Sequence, residues 1–275
     1  MAKPTSWNIV TVADSDEVVI AADFPATGRP EAQFTDLAPL LGDTRSFWQT
    51  VPPVVSPEEG VSGADYIKQW GAELADSGLV VRGVLGFCVG GVYAAALADE
   101  AARRQERPPV LVLFDPEQAT VPTLYWQFEK LLGNLTTVLS AEEVTRVRDT
   151  SLALMQEHGE DVGGYAAGLH RVFRSVAVDA FGRLGLDAER TEEMIGLFSS
   201  FISYLSVAAR LDVSDTWRRA TAISSSSPRS GLNPHRSPAG EDSPLVAREI
   251  RFDTEHAQLL RSDAVAETVR ELLRP

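Results

Sequence analysis

Val80-Val81-Arg82-Gly83-Val84-Leu85-Gly86-Phe87-Cys88-Val89-Gly90-Gly91-Val92 is the stretch on which the fold turns. Residues 80–85 are mostly apolar and β-branched, which predicts a buried strand, and the alanine-rich run from Val92 to Arg104 predicts a helix. Between them lies Gly86-Phe87-Cys88-Val89-Gly90, the spacing of a nucleophile elbow. In such an elbow the flanking glycines let the backbone turn sharply from strand to helix without Cβ clashes. The apex is cysteine where serine is usual. Cys88 is also the sole cysteine of the chain, so it has no disulfide partner within one molecule. A helix N-terminus at this point is expected to favour thiolate, and the Val89 N–H to face a developing oxyanion.

Working outward, Val18-Val19-Ile20-Ala21-Ala22 reads as a buried strand running into the loop Phe24-Pro25-Ala26-Thr27-Gly28. Leu37–Leu41 is a short helix candidate, and the proline-rich Val51–Pro57 is irregular. Ala64–Ser77 has helical spacing (Tyr66, Ile67, Trp70, Leu74) and stops at Gly78. After the elbow helix, Val110-Leu111-Val112-Leu113-Phe114 is a second apolar strand, closed by Asp115-Pro116. Strand, helix, strand in this order implies a parallel crossover. From Thr123 to Leu211 the pattern is helical: Tyr125–Leu132, Ala141–His158, Tyr165–Phe181 and Thr191–Leu211. Ala220–Ile223 and Val246–Phe252 return to strand character, and Ala264–Leu273 closes as an amphipathic helix. The Ser, Pro and Gly content of Ser224–Pro244 predicts a flexible loop.

These elements predict an α/β fold with a mostly parallel central sheet. A first core part (1–116) is followed by a helical lid insertion (117–212) over the sheet's C-terminal edge. A second core part (213–275) contains the flexible loop 224–244. The insert's aromatic residues, Trp126, Phe128, Phe173, Phe181, Phe198, Phe201 and Tyr204, read as the lid's own core.

A length of 275 residues with 44% hydrophobic content is ample for one large core with an insertion. No apolar run approaches the roughly 18 residues of a membrane span, and no secretory h-region follows the N-terminus. A soluble, cytoplasmic protein is expected. The net charge of −14 argues against nucleic acid or an anionic membrane as main partner. Four histidines and one cysteine leave no zinc-like spacing, so neither a metal nor a bound cofactor is expected.

A thiol becomes a working nucleophile when a base takes its proton and an acid orients that base. His256, in the loop after the last strand, is the best placed of the histidines; His158 and His170 fall in the helical insert and His235 in the flexible loop. No carboxylate follows Ile223, where Ser224-Ser225-Ser226-Ser227-Pro228 stands. Asp115 ends the strand beside the elbow and is the preferred acid, with Asp215 and Asp242 as weaker candidates. Backbone N–H groups of Ala26 or Thr27 are candidates for a second oxyanion donor. The bland alternatives are a buried small hydrophobe for Cys88, a turn cap for Asp115 and a surface loop for His256. Strand, helix and downstream histidine in order favour the chemical reading.

The Phe24–Gly28 loop, the elbow, Leu113-Phe114-Asp115 and Glu255-His256-Ala257-Gln258-Leu259-Leu260 together resemble the thioesterase domains of nonribosomal peptide and polyketide assembly lines. The resemblance spans roughly 18–116 and 246–273, not the insert. It implies an α/β-hydrolase fold, with the acid at the position of Asp115. It departs at the chemistry: that family's nucleophile is usually serine, and its histidine commonly follows Gly or Gly-Asp, whereas this chain has Cys88 and Thr254-Glu255. The implied substrate is an acyl or aminoacyl thioester on the phosphopantetheine arm of a partner carrier protein or synthetase module, used in trans. Because an acyl group on Cys88 is itself a thioester, transfer to a second thiol, an amine or a hydroxyl, with or without ring closure, is favoured over release to water. A plain releasing or editing hydrolase and a non-catalytic carrier-binding module are the lower-ranked readings.

Overall fold

The computed structural model describes residues 4–24, 31–42, 44–136, 138–235 and 245–274. The chain divides into two compact units: Met1–Val51, Ala64–Gln118 and Leu211–Pro275 form one, and Pro52–Gly63 with Ala119–Arg210 form the other.

The first unit holds one seven-stranded sheet, built from β1 (Trp7–Thr11), β2 (Glu17–Ala22), β3 (Ser46–Thr50), β4 (Val80–Phe87), β5 (Val110–Phe114), β6 (Thr221–Ser224) and β7 (Arg248–Arg251). The order is β1-β3-β2-β4-β5-β6-β7, and every pairing is parallel except the antiparallel β1–β3. The sequence reading found β2, β4, β5, β6 and β7 but not β1 or β3. In β3, Ser46-Phe47-Trp48-Gln49-Thr50, all five residues are buried, so no alternation of apolar and polar residues marks it.

Helices cover both faces of the sheet. On one, α1 (Phe34–Leu41) and α9 (Asp263–Leu272) bury Phe34, Leu37, Val265 and Val269 against Val19, Leu85, Phe87, Val112, Phe114 and Ile223. Alternate strand residues point the other way. There α2 (Gly63–Ser77) and α3 (Gly90–Ala102) stack Tyr66, Trp70 and Tyr93, with ring centroids 5.4–5.5 Å apart. Trp70 Nε1 donates to Val51 O and Trp7 Nε1 to Trp70 O, so the indole hydrogens are satisfied where the rings are buried. The helix over 64–77 is realised almost to the residue, and the short α8 (Ser214–Trp217) docks Trp217 Nε1 on Gly91 O.

The start of α3 is set by how closely it meets β2. A Cβ built on Gly90 lies 2.2 Å from Ala22 O, a backbone atom that cannot swing aside. Gly90→Ala is therefore expected to destabilise the fold by about 3 kcal/mol, the upper end of what overpacking typically costs. A urea melt should show a lower midpoint with an unchanged slope.

The second unit consists of a short 3₁₀ turn (Pro57–Glu59) and four helices, α4 (Val121–Asn134), α5 (Ala141–His158), α6 (Val162–Arg183) and α7 (Ala188–Ala208). Ser140 and Glu143 form a capping box at α5, and Asp161 and Asp187 cap α6 and α7. Phe128, Phe173 and Phe198 form the unit's aromatic centre, with centroids of 4.0 Å for Phe173–Phe198 and 5.8 Å for Phe128–Phe198. Trp126, expected in that core, is 61% exposed. The buried line of α4 runs Val121, Leu124, Phe128, Leu132, which leaves position 126 on the opposite side. Among the described residues, no helix is long and apolar enough to cross a membrane.

Candidate active site

Parallel register carries the ends of three strands into a row. Phe87 pairs with Phe114, and Phe114 with Ile223, so the residues that follow emerge at one edge of the sheet. Cys88 turns the chain there with φ 52, a left-handed conformation uncommon outside glycine. Its geometry is fixed from several sides: Cys88 N donates to Phe114 O at 2.9 Å, and Cys88 O accepts from Gly91 N at 3.0 Å and from Glu117 N at 3.3 Å. The elbow is thus bonded both to the next strand and to its own helix.

Asp115, at the end of β5, has φ 42 and is fully buried. Both carboxylate oxygens are engaged. Oδ1 accepts from Ser225 N at 2.8 Å, and Oδ2 accepts from His256 Nδ1 at 2.7 Å. An ionised carboxylate only accepts, so Nδ1 carries the hydrogen and the neutral ring keeps its lone pair on Nε2. That is the tautomer a general base needs. Phe87, the residue before Cys88, stacks on the imidazole at 4.6 Å with an interplanar angle of 23°. His256 begins a 3₁₀ turn (His256–Arg261) whose Leu259 and Leu260 sink into the core, while Ala32 N donates to Ala257 O at 2.9 Å. Gly231 packs against Asp115: with φ 57, a Cβ there would lie 2.6 Å from Asp115 Cα.

The thiol's surroundings differ from the expectation that the helix N-terminus favours thiolate. Cys88 Sγ donates to Glu117 Oε2 at 3.6 Å. Burial raises the thiol's pKa well above the ordinary range, and the Glu117 carboxylate raises it further. The Val89 backbone N–H opposes the shift, while Asp23 adds to it. Loss of solvent and two carboxylates outweigh one backbone donor, which holds the Cys88 thiol toward its neutral form. Glu117→Gln removes the charge but keeps the side-chain shape. Alkylation of Cys88 at neutral pH is then expected to speed up about three- to tenfold, the larger thiolate population being partly offset by the lower nucleophilicity of a more acidic thiol. Iodoacetamide rates measured against pH should also show the onset of reactivity at lower pH than in the parent protein.

The remaining sequence candidates fall as follows. The Val89 backbone N–H acts on the Cys88 thiol against the rise in its pKa. Ala26, Thr27 and Asp242 lie outside the described residues. Asp215 is on α8, highly exposed and paired with Arg218. His158 closes α5 near Asp161, and His235 is exposed. His170 is buried in the helical unit and donates from Nδ1 to Ser199 Oγ at 2.8 Å, since that hydroxyl gives its own hydrogen to Ile195 O. Sequence reasoning missed Glu117, which the turn at Asp115-Pro116 brings back to the elbow, and it missed the role of Ser225.

No family model matches the sequence, and neither does any curated protein. Solved structures do resemble it. One is a Vlm2 thioesterase domain bound with a dodecadepsipeptide (15% identity, TM-score 0.49, 98% of this chain and 97% of the other). Another is an enol-lactonase from Burkholderia xenovorans LB400 (13%, TM-score 0.51, 97% and 95%). A third is the four-domain nonribosomal peptide synthetase AB3403 (14%, TM-score 0.52), of which the match spans 98% of this chain but 20% of that one. With the sheet order above, the latter two identify the architecture as the α/β-hydrolase fold.

Proposed function

We propose that the protein is a thioesterase-like acyl-transfer enzyme with Cys88 as nucleophile, His256 as general base and acid, and Asp115 as the carboxylate that orients His256. The observation that carries this reading is the 2.7 Å His256–Asp115 bond, formed beside a cysteine held in an elbow at φ 52. Its substrate is an acyl or aminoacyl thioester on the phosphopantetheine arm of a carrier protein or synthetase module, offered in trans. The nonribosomal peptide synthetase of similar fold supports that class of substrate.

In the reaction, His256 Nε2 takes the proton from Cys88 Sγ as the sulfur attacks the thioester carbonyl. The Val89 N–H receives the oxyanion. Collapse of the tetrahedral intermediate breaks the bond to the phosphopantetheine sulfur, and His256 returns its proton to that leaving thiolate. The acyl group then sits on Cys88 as a thioester, nearly as reactive as the one it came from. His256 next deprotonates the acceptor, a thiol, amine or hydroxyl, whose attack frees Cys88.

Turnover of an acyl-phosphopantetheine carrier, followed by chromatography of the products with and without added thiol or amine, tests the reading. Acceptor-dependent product is expected. Equal turnover by the His256→Ala variant would overturn the assignment of the base.

A further inference from the structure

The acid and the base of the site come from loops after different strands, and one short segment touches both. Ser225 N donates to Asp115 Oδ1 at 2.8 Å, and two residues on, Ser227 Oγ accepts from His256 N at 2.9 Å. The tripeptide Ser225-Ser226-Ser227 is therefore the seat of both partners. It is tied to the His256 loop by Ser226 N, which donates to Thr254 O at 2.9 Å, and folded on itself by Ser227 N, which donates to Ser225 Oγ at 3.2 Å.

What fixes the tripeptide is a side chain. Asn233 Nδ2 donates to Ser225 O at 3.0 Å and to Ser227 O at 2.7 Å, so the amide nitrogen serves two carbonyls, and two carbonyl acceptors define which end of the amide faces them. Asn233 is itself held by its backbone N–H on Ser230 O, at the end of a turn that packs Gly231 against Asp115. We propose that Asn233 is a positioning residue of the Cys88 site, a clamp that keeps the seat of Asp115 and the seat of His256 in register. This rests on the acyl-transfer reading above.

The chemistry of the clamp is specific. An –NH₂ supplies two hydrogens from one atom to two oxygens. Aspartate has the same size but no hydrogen to give, and would set a charge against two carbonyls. Serine offers a single donor on a shorter stem. Released from the clamp, the tripeptide can move Asp115 and His256 apart by fractions of an ångström without unfolding the sheet.

The test compares Asn233→Asp and Asn233→Ser with the parent protein, each checked for a cooperative melt. The expected loss is about 10- to 100-fold in kcat with KM for the carrier-bound thioester unchanged, the usual penalty for a misplaced catalytic group, and larger for Asp than for Ser. The pH profile of kcat/KM should change shape, which a loss of stability alone would not produce. A second readout needs no turnover: the far-downfield proton resonance of the His256 Nδ1–H bond to Asp115 should shift or broaden in both variants. Parent-like kcat, pH profile and resonance in both variants would overturn the proposal. If the parent protein forms no product and no acyl-Cys88, the functional reading fails, and the resonance still decides whether Asn233 holds the pair.

Discussion

Replacing Asp115 by Asn is expected to lower kcat for acyl transfer by about 10³–10⁴ while leaving the protein folded and KM little changed. The reason is a conflict between two neighbours. Ser225 N–H and His256 Nδ1–H both donate to the carboxylate, one to each oxygen. An asparagine has one oxygen and one –NH₂ to set against them. If the oxygen faces Ser225, the amide hydrogens face His256 and force Nδ1 to accept, which moves the ring proton to Nε2 and removes the base from the side that must take the thiol proton. If the oxygen faces His256, two N–H groups meet head on at a fully buried position, at a cost of about 1–3 kcal/mol for the unsatisfied donor. The two outcomes differ in measurement. The first leaves stability nearly intact and removes activity, and is the outcome expected here; the second keeps the base tautomer and lowers the melting midpoint instead. Steady-state kinetics with a urea melt on the same sample reads both.

Removing the Cys88 thiol is expected to have the other large effect. Cys88→Ala is expected to reduce turnover by about 10³-fold or more, since the covalent route is lost and only binding and oxyanion stabilisation remain. Cys88→Ser separates transfer from hydrolysis. A serine acyl-enzyme is an oxygen ester, which lies downhill of the incoming thioester, so passing the group on to a second thiol becomes uphill while water remains competent. The ratio of transferred to hydrolysed product should therefore fall sharply in Cys88→Ser, measured by chromatography of the acyl products at fixed acceptor concentration. An unchanged ratio would mean that the sulfur contributes nothing to the choice of acceptor.

How much of this was readable without coordinates follows from what each feature leaves in the chain. The strand-elbow-helix unit was plain, because glycine spacing, an apolar run and an alanine-rich run coincide within 25 residues of chain, 80–104. The neighbourhood of Asp115 and His256 was readable too, since β5 follows the elbow helix directly and the last loop returns to the same sheet edge. The outer strands β1 and β3 were not. They are five residues each, and their pairing is a long-range choice that no local pattern records. Glu117 was missed for a different reason: it looks like any acidic residue after a strand, and only the left-handed turn at Asp115 returns its carboxylate to the sulfur. Asn233 was read as part of a flexible stretch. The segment from Ser225 to His235 is instead held by backbone hydrogen bonds and by the Asn233 amide on two carbonyls, and composition does not record which partners a polar residue will find. The reversal of the thiolate expectation has the same origin. The helix N-terminus is visible in sequence, but burial and two approaching carboxylates are not.

The claim at the centre of the account is that Cys88 carries the acyl group. Incubating the protein with an acyl-phosphopantetheine carrier, quenching in acid and weighing the intact chain tests it most directly. A mass increase equal to one acyl group is expected, mapped to the peptide containing Cys88, lost in Cys88→Ala and discharged by added acceptor. An unmodified chain, with turnover intact in Cys88→Ala, would contradict it.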